Sequence, residues 1–360
     1  MNLIRLVLLV MIAGGIYLAV TGDFADGKLE EGLQKGKDAA VKIAEMLEED
    51  QSQEQPDTSE EEESLSIEGD MYKWIGKDEQ SLIDEYGEPE RKDPTAYGYT
   101  WWVYNQDSNK YLQFGIDDNK VVTWFLTGDE TNADPLTIGD DYQAVQSQHN
   151  FEKKVTYKKG VEQYTFQLSE DDLKTRPLVQ LSDSVYAQLY FDTFTEQLSS
   201  IRVMNYEVLL KQQPYQISYR GKLPKKSVLE EDWEAIEEAR ERQIFDITNR
   251  YRHRFGKGAL VWSQPVAEVA FKHSKDMRDN NYFSHYTPDG VGLQERLQAD
   301  GLTYSRAGEN IAAQYPDAAA AMEGWLNSEG HREALLHDHY SHLGVGVYKD
   351  YYTQNFLVPR

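Results

Sequence analysis

The feature that most constrains this chain is an acidic segment near its N-terminal end. Residues 45–63 carry ten carboxylates and no basic side chain. Because this segment has almost nothing apolar to bury and its like charges repel, it cannot form part of a packed core. We therefore interpret residues 23–70 as an extended tether and expect the packed domains to follow it.

An apolar run precedes this tether. Residues 6–20 contain no charged side chain, Arg5 stands in front of them and acids follow. Residues 3–21 come close to the about 20 apolar residues that a bilayer core requires, if Arg5 extends to the interface. The pattern predicts a membrane helix within residues 1–22, with the bulk of the chain outside the cytoplasm. The alternative is a cleaved signal, which would make the protein secreted.

Composition excludes two classes of function. The chain holds 37 Lys and Arg against 62 Asp and Glu, a net charge of -25, so it lacks the basic surface that a nucleic-acid partner needs. It also has no cysteine, which rules out disulfides, thiolate zinc sites and a cysteine nucleophile.

Strand-forming and aromatic residues dominate from Met71 to residue 208. Residues 97–104, 111–116 and 121–126 are β-rich runs joined by turn residues, which predicts a β-meander. The aromatic side chains of residues 97–104 could form a binding platform, but such side chains in a strand more often pack in the core. We interpret His149 as an incidental surface residue.

This region also contains an internal repeat. Ile75-Gly76 corresponds to Ile138-Gly139 at an offset of 63 residues, whereas Leu112 corresponds to Leu189 at an offset of 77. We predict two related α+β units, residues 71–130 and 134–208. The difference between the offsets predicts an insertion of about 14 residues in the second unit, placed in the polar stretch 169–184.

The remaining residues are predicted to form a linker and a helix-rich domain. Residues 209–228 contain two prolines and a glycine and are interpreted as the linker, followed by a domain over residues 229–360. Apolar spacing predicts a long helix over residues 227–255. A second helix opens at Pro265, and His273, beside its apolar stripe, is interpreted as a hydrogen-bonded core residue.

Two histidines and a glutamate are the side chains most suited to chemistry in this domain. His285, Glu309 and His331 each lie at the end of a predicted helix or loop, from which they can point into one cleft. Two imidazoles and a carboxylate suit zinc or another divalent ion. They can equally serve as structural groups that bond to one another, and the spacing leaves both readings open.

Seven motifs in residues 240–358 resemble those of the CAP domain, the family of cysteine-rich secretory proteins, antigen 5 and pathogenesis-related 1 proteins. Residues 71–208 resemble the CAP-associated N-terminal domain. The motifs occur in the family's order: Thr248-Asn249-x-x-Arg252, His273-Ser274-x-x-Met277, Tyr282-Phe283-Ser284-His285, Ala307-Gly308-Glu309-Asn310-Ile311-Ala312, Trp325-Leu326-Asn327-Ser328-x-Gly330-His331-Arg332, Leu343-Gly344-Val345-Gly346-Val347 and Tyr352-Thr353-Gln354-Asn355-Phe356.

The resemblance implies an α+β chain with a C-terminal α-β-α sandwich and a cleft of two histidines and two acids that binds zinc in some members. His285, Glu309 and His331 match three of the four positions. Ser328 stands where the family has its second glutamate, and Glu329 beside it is the substitute candidate. The implied metal ligands are therefore His285, Glu309, His331 and Glu329, with Zn²⁺ as the cofactor.

Two functions remain open at this point. The first is an extracytoplasmic binding module whose cleft takes a lipid, peptide or glycan of the cell envelope, and we favour it. The second is a metal-dependent hydrolase in which the histidines hold the metal and Glu309 acts as general base.

Overall fold

The computed structural model describes residues 71–105, 110–128, 132–224 and 232–360. The predicted membrane helix (1–22) and tether (23–70) lie outside these residues. Among the described helices, none is both long and apolar enough to cross a membrane.

The N-terminal part of the described chain is rich in strands. In chain order it contains a 3-10 turn (Met71–Trp74), α1 (Glu79–Tyr86), β1 (Arg91–Pro94), β2 (Thr100–Tyr104), β3 (Tyr111–Asp117), β4 (Lys120–Thr127), β5 (Asn132–Ala133), β6 (Leu136–Thr137), α2 (Tyr142–Gln148), β7 (Lys154–Lys159), β8 (Glu162–Gln167), α3 (Glu170–Thr175), β9 (Leu178–Ser182), β10 (Val185–Asp192), β11 (Gln197–Asn205), α4 (Tyr206–Gln212) and β12 (Gln216–Arg220).

Seven of these strands form one antiparallel sheet in the order β1-β2-β3-β4-β11-β10-β9. The two halves of the sheet meet where β4 pairs with β11. Each half is preceded by a short helix whose N-cap is an aspartate, Asp78 for α1 and Asp141 for α2. Asp78 forms an isolated antiparallel β-bridge with Lys120, and Asp141 forms one with Gln197. The predicted equivalences fall on equivalent elements, since Leu112 lies on β3 and Leu189 on β10.

The extra residues of the second half begin before the predicted stretch 169–184. The hairpin of β7 and β8 and the helix α3 occupy the interval between α2 and β9. The hairpin belongs to a separate three-stranded sheet of order β12-β8-β7. Residues 169–184 looked like an insertion because they are polar, whereas the hairpin has ordinary strand composition.

The structure decides three predictions for this part of the chain. The aromatic residues of 97–104 are core rather than a platform: Tyr97, Tyr99, Trp101 and Trp102 are all buried. His149 is also buried, so its interpretation as a surface residue was wrong. The linker interpretation of residues 209–228 was wrong in part, because β12 returns to pair with β8 along its whole length.

The C-terminal part is a layered α-β-α domain. It contains α5 (Trp233–Arg254), β13 (Val261–Trp262), α6 (Gln264–Asp279), α7 (Leu293–Ala299), β14 (Tyr304–Ala313), α8 (Ala318–Leu326), α9 (Glu329–Leu335), β15 (His342–Tyr348) and β16 (Tyr351–Pro359). The sheet order is β13-β15-β16-β14. The helix predicted over residues 227–255 is confirmed over Trp233–Arg254, and Pro265 lies in the first turn of α6.

Neighbouring residues of β16 show how the layers are arranged. Thr353 shares a hydrogen bond with Ser274 of α6, whereas Gln354 donates to Thr248 of α5. Since side chains alternate along a strand, α6 covers one face of the sheet and α5 the other. A Cβ at Gly346 would come within 1.8 Å of the α6 main chain, so this glycine lets α6 pack directly on β15.

The two parts share one core. A single cluster of buried apolar side chains includes Tyr190 and Met204 of the N-terminal sheet and Ile244 and Trp325 of the C-terminal domain. Buried polar contacts cross the same boundary. Arg202 of β11 pairs with Asp317, the N-cap of α8, at 2.8 Å.

The buried Glu323 of α8 makes a second set of polar contacts across this boundary. It accepts hydrogen bonds from Ser199 and Ser200 of β11 and from Tyr251 of α5. Burial raises the pKa of Glu323, and the three hydroxyl donors oppose that rise. The N-terminal sheet is therefore fixed to α8, the helix that leads into His331.

Candidate functional site

His285 and Glu309 meet beside the edge of the C-terminal sheet. His285 lies in the loop between α6 and α7, and Glu309 lies on β14. Nδ1 of His285 is 2.9 Å from Oε1 of Glu309. The imidazole is 48% exposed, whereas the glutamate side chain is only 3% exposed. The buried carboxylate thus fixes a half-exposed ring by its Nδ1.

Arg296 of α7 completes this pair, and sequence reasoning missed it. Its guanidinium donates to Oε2 of Glu309 and to the main-chain oxygen of His285, the latter at 3.1 Å. The side chain is 10% exposed. Both oxygens of Glu309 are therefore occupied, one by a cation and one by the imidazole. Within its own helix, Arg296 carries no local signal that would distinguish it from a surface arginine.

His273 holds both Arg296 and the loop in place. Its Nε2 is 3.0 Å from the main-chain oxygen of Ser284, and its Nδ1 is 2.8 Å from a guanidinium nitrogen of Arg296. Burial, reinforced by Arg296, lowers the pKa of His273 to about 4. A neutral ring donates at Nε2 and accepts at Nδ1, which satisfies both partners. The interpretation of His273 as a hydrogen-bonded core residue is confirmed.

His331 is tied to the site through β14. It lies in the first turn of α9, and its Nδ1 is 2.8 Å from the hydroxyl of Ser328. Asn310, next to Glu309 on β14, donates to the main-chain oxygen of His331 at 3.0 Å. Burial, and then the nearby His285, lower the pKa of His331. Adjacent residues of β14 thus hold both histidines: Glu309 contacts the imidazole of His285, and Asn310 contacts the main chain of His331.

Glu329 is the predicted site residue that the structure places elsewhere. It lines a surface cavity of about 540 Å³ together with Lys257, Arg332 and Asp338. Residues two apart on a helix point to different sides, so when His331 faces the cleft Glu329 does not. The structure thus brings together His285, Glu309 and His331, with Ser328 and Arg296 as additional members.

These residues fit a metal ion poorly as they are arranged. Among the residues that the structure describes, no group of three or more His, Asp or Glu side chains is placed to hold a metal ion. The charge of Glu309 is already balanced by Arg296, and a second cation beside that guanidinium would be repelled. Ser328 supplies a neutral hydroxyl where a carboxylate would be needed.

Comparisons with known proteins match the two parts of the chain separately. Residues 75–215 match the CAP-associated N-terminal family, and residues 245–358 match the cysteine-rich secretory protein family, CAP. A Bacillus subtilis (strain 168) protein named uncharacterized membrane protein YlbC is 47% identical over 288 residues, covering 80% of this chain and 83% of its own. A second, YkwD, is 33% identical over 121 residues, which span 33% of this chain and 47% of its own.

Two solved structures resemble the whole described fold. An extracellular protein containing an SCP domain from Bacillus anthracis str. Ames has a TM-score of 0.76 and 42% identity, covering 85% of this chain and 99% of its own. A cysteine-rich secretory protein from Staphylococcus aureus subsp. aureus Mu50 has a TM-score of 0.70 and 27% identity, covering 81% and 96%. Both coverages extend beyond the C-terminal domain, so the pairing of the two parts is common to all three proteins.

Proposed function

Because the chain belongs to the CAP family and carries the CAP-associated N-terminal domain, we propose that it is an extracytoplasmic binding module whose cleft takes a ligand of the cell envelope. Two similarities support the location. YlbC is called a membrane protein, and the similar Bacillus anthracis protein is called extracellular. Residues 3–21 would anchor the chain, with the described residues outside the cytoplasm.

The observation that carries the proposal is the presentation of His285. Its Nδ1 is held by a buried carboxylate, which fixes the ring and leaves Nε2 for a ligand. His331 is held in the same way, by Ser328 at Nδ1. Two imidazoles that are each fixed at Nδ1 form a small polar site that needs little reorganisation on binding.

Apolar groups next to His285 extend this surface. Phe283 is 54% exposed and Tyr286 is 62% exposed, and both lie in the same loop as His285. A few convergent polar groups beside exposed aromatic rings are typical of ligand sites. The cleft thus combines hydrogen-bonding groups with an apolar rim.

The alternative function is a metal-dependent hydrolase. The observation that favours it is the closeness of His285 and His331, which influences the pKa of His331 and could place two nitrogen ligands on one ion. The role of Glu309 as general base has less support, since both of its oxygens accept hydrogen bonds and its side chain is only 3% exposed. A base must come within hydrogen-bond reach of the proton it takes.

A binding experiment with paired variants tests the proposed module. Full-length protein in detergent micelles is offered a pool of capped random nonapeptides, N-acetylglucosamine hexamers and phosphatidylglycerol. We expect at least one probe to bind, and the double variant His285→Ala/His331→Ala to weaken its binding by about tenfold or more, since two hydrogen bonds to the ligand are lost.

The matched control is His339→Ala, which removes an exposed imidazole outside the cleft. It should leave the affinity unchanged within about twofold, a difference well below one hydrogen bond. Equal affinity of the double variant and the wild-type protein would contradict the proposal, as would failure of all three probes to bind at millimolar concentration.

A further inference from the structure

The strand that carries Glu309 lies at the edge of its sheet. In the order β13-β15-β16-β14, only β16 pairs with β14. Half of the main-chain N–H and C=O groups of an edge strand point away from its partner. In β14 these groups lie beside the two histidines, so their direction decides what the cleft can bind.

The hydrogen bonds of the neighbouring strands identify the outward residues. The main-chain oxygen of Leu343 accepts from Ser263 on the β13 side, so the next residue, Gly344, faces β16. Gly344 pairs with Asn355, whose main chain therefore faces β15 rather than β14. Glu309 is opposite Asn355, and its own main-chain groups must point outward.

A second observation gives the same assignment independently. The main-chain oxygen of Ile311 accepts from the indole N–H of Trp325 at 3.0 Å, so Ile311 faces away from β16. By the two-residue period of a strand, Glu309 and Ala307 face the same way. The outward C=O of Ile311 is thus already bonded to the Trp325 indole. The outward N–H and C=O groups of Ala307 and Glu309 have no partner among the residues that the structure describes.

These outward groups are accessible. Glu309 is partly exposed as a residue although its side chain is only 3% exposed, so its accessible surface is main chain. Ala307 is partly exposed as well. The edge therefore presents two N–H donors and two C=O acceptors in strand spacing, about 7 Å between equivalent groups.

Both histidines are tied to this edge strand. Glu309 contacts the imidazole of His285, and Asn310, whose side chain points to the opposite face, donates to the main-chain oxygen of His331. A ligand lying along the edge would therefore lie next to the loop of His285. Phe283 and Tyr286 would then contact its side groups.

We infer that the ligand is an extended polypeptide segment that adds to β14 as a further strand at Ala307 and Glu309. The inference rests on the proposed binding function and names its ligand class. A polypeptide offers N–H and C=O groups at the spacing of the edge, and main-chain bonds of this kind give affinity while pockets for alternate side chains give selectivity. Glycans and lipids lack this alternation of donors and acceptors.

The test is an N-methyl scan of peptides bound by the wild-type protein. Capped nonapeptides retained from the random pool by full-length protein in micelles are sequenced, and each is resynthesised with single main-chain N-methyl groups along its length. We expect methylation at alternate positions to weaken binding about tenfold or more, because those N–H groups face β14, and methylation at the intervening positions to change it by less than about twofold.

A variant of the strand tests the same contact from the protein side. Ala307→Pro removes one outward N–H and leaves the pairing with β16 in place. Proline is tolerated on an edge strand where the N–H faces solvent. We expect it to weaken peptide binding about tenfold. Ala307→Gly keeps the N–H and should bind like the wild type. If Ala307→Pro fails to fold, the N-methyl scan decides alone.

The outcomes separate the two proposals. Peptide binding that is equally sensitive, or equally insensitive, to methylation at every position overturns strand addition. Retention of N-acetylglucosamine hexamers or phosphatidylglycerol but of no peptide overturns the ligand class while the histidine-dependent binding function stands. Binding of any probe that does not depend on His285 and His331 overturns the proposed function itself.

Discussion

Replacement of Arg296 by methionine is expected to lower the free energy of unfolding by about 3–5 kcal/mol. The guanidinium is the cation that balances Glu309, whose side chain is 3% exposed, and it also binds His273 and the main chain of His285. Without it, a buried carboxylate stays uncompensated and the loop loses its anchor. Urea unfolding of the full-length protein in micelles measures the change.

The double variant Arg296→Met/Glu309→Gln is the informative control. Because it removes the buried charge together with its partner, it should be less destabilised than Arg296→Met alone. Arg296→Lys keeps the charge but loses the forked geometry that contacts three groups at once. Its loss of stability should lie between those of Arg296→Met and the double variant. A loss below about 1 kcal/mol for Arg296→Met would show that the pair contributes no more than an exposed one.

Replacement of Arg202 by methionine is also expected to lower the free energy of unfolding by about 3–5 kcal/mol. This residue lies at the boundary between the two parts of the chain. Arg202 is fully buried and pairs with Asp317 at 2.8 Å. It also donates to Gln212, which contacts Tyr99. The variant leaves Asp317 buried without its cation at the start of α8. Because α8 leads into His331, we expect amide exchange to increase in α8 and α9.

A matched surface pair shows what an exposed ion pair contributes. The side chains of Lys153 and Glu170 form an ion pair and are 65% and 73% exposed, so Lys153→Met should change the free energy of unfolding far less than Arg202→Met does. If Arg202→Met and Lys153→Met changed stability equally, the buried pair would not be what holds the two parts together.

The N-terminal fold was largely predictable because its signals are local. Glycine and aspartate before a short helix recur at Gly76 and Gly139, and strand patterns recur at Leu112 and Leu189. These signals located both halves of the sheet and the mixed α+β class. The position of the added hairpin was not predictable, because its strand β8 pairs with β12, and the β12 region looked like a linker from its prolines and glycine.

The candidate site was predictable only where a motif marked it. His285, Glu309 and His331 stand in motifs, and the structure places them together. Arg296 lies on a short helix without any motif, and its role depends on contacts with His273 and Glu309 that are distant in sequence. The direction of Glu329 is fixed by the start of α9, which sequence reasoning could not place to within one residue.

We propose that Glu309 is a buried anion, held by Arg296, that presents His285 to a ligand instead of coordinating a metal ion. Calorimetric titration of Zn²⁺ into full-length protein in micelles tests this role of Glu309, with His285→Ala and Glu309→Gln titrated in parallel. We expect no stoichiometric heat in the wild-type protein and no difference from the two variants. One equivalent of Zn²⁺ bound with a micromolar or tighter dissociation constant, and lost in both variants, would show instead that these residues coordinate the metal.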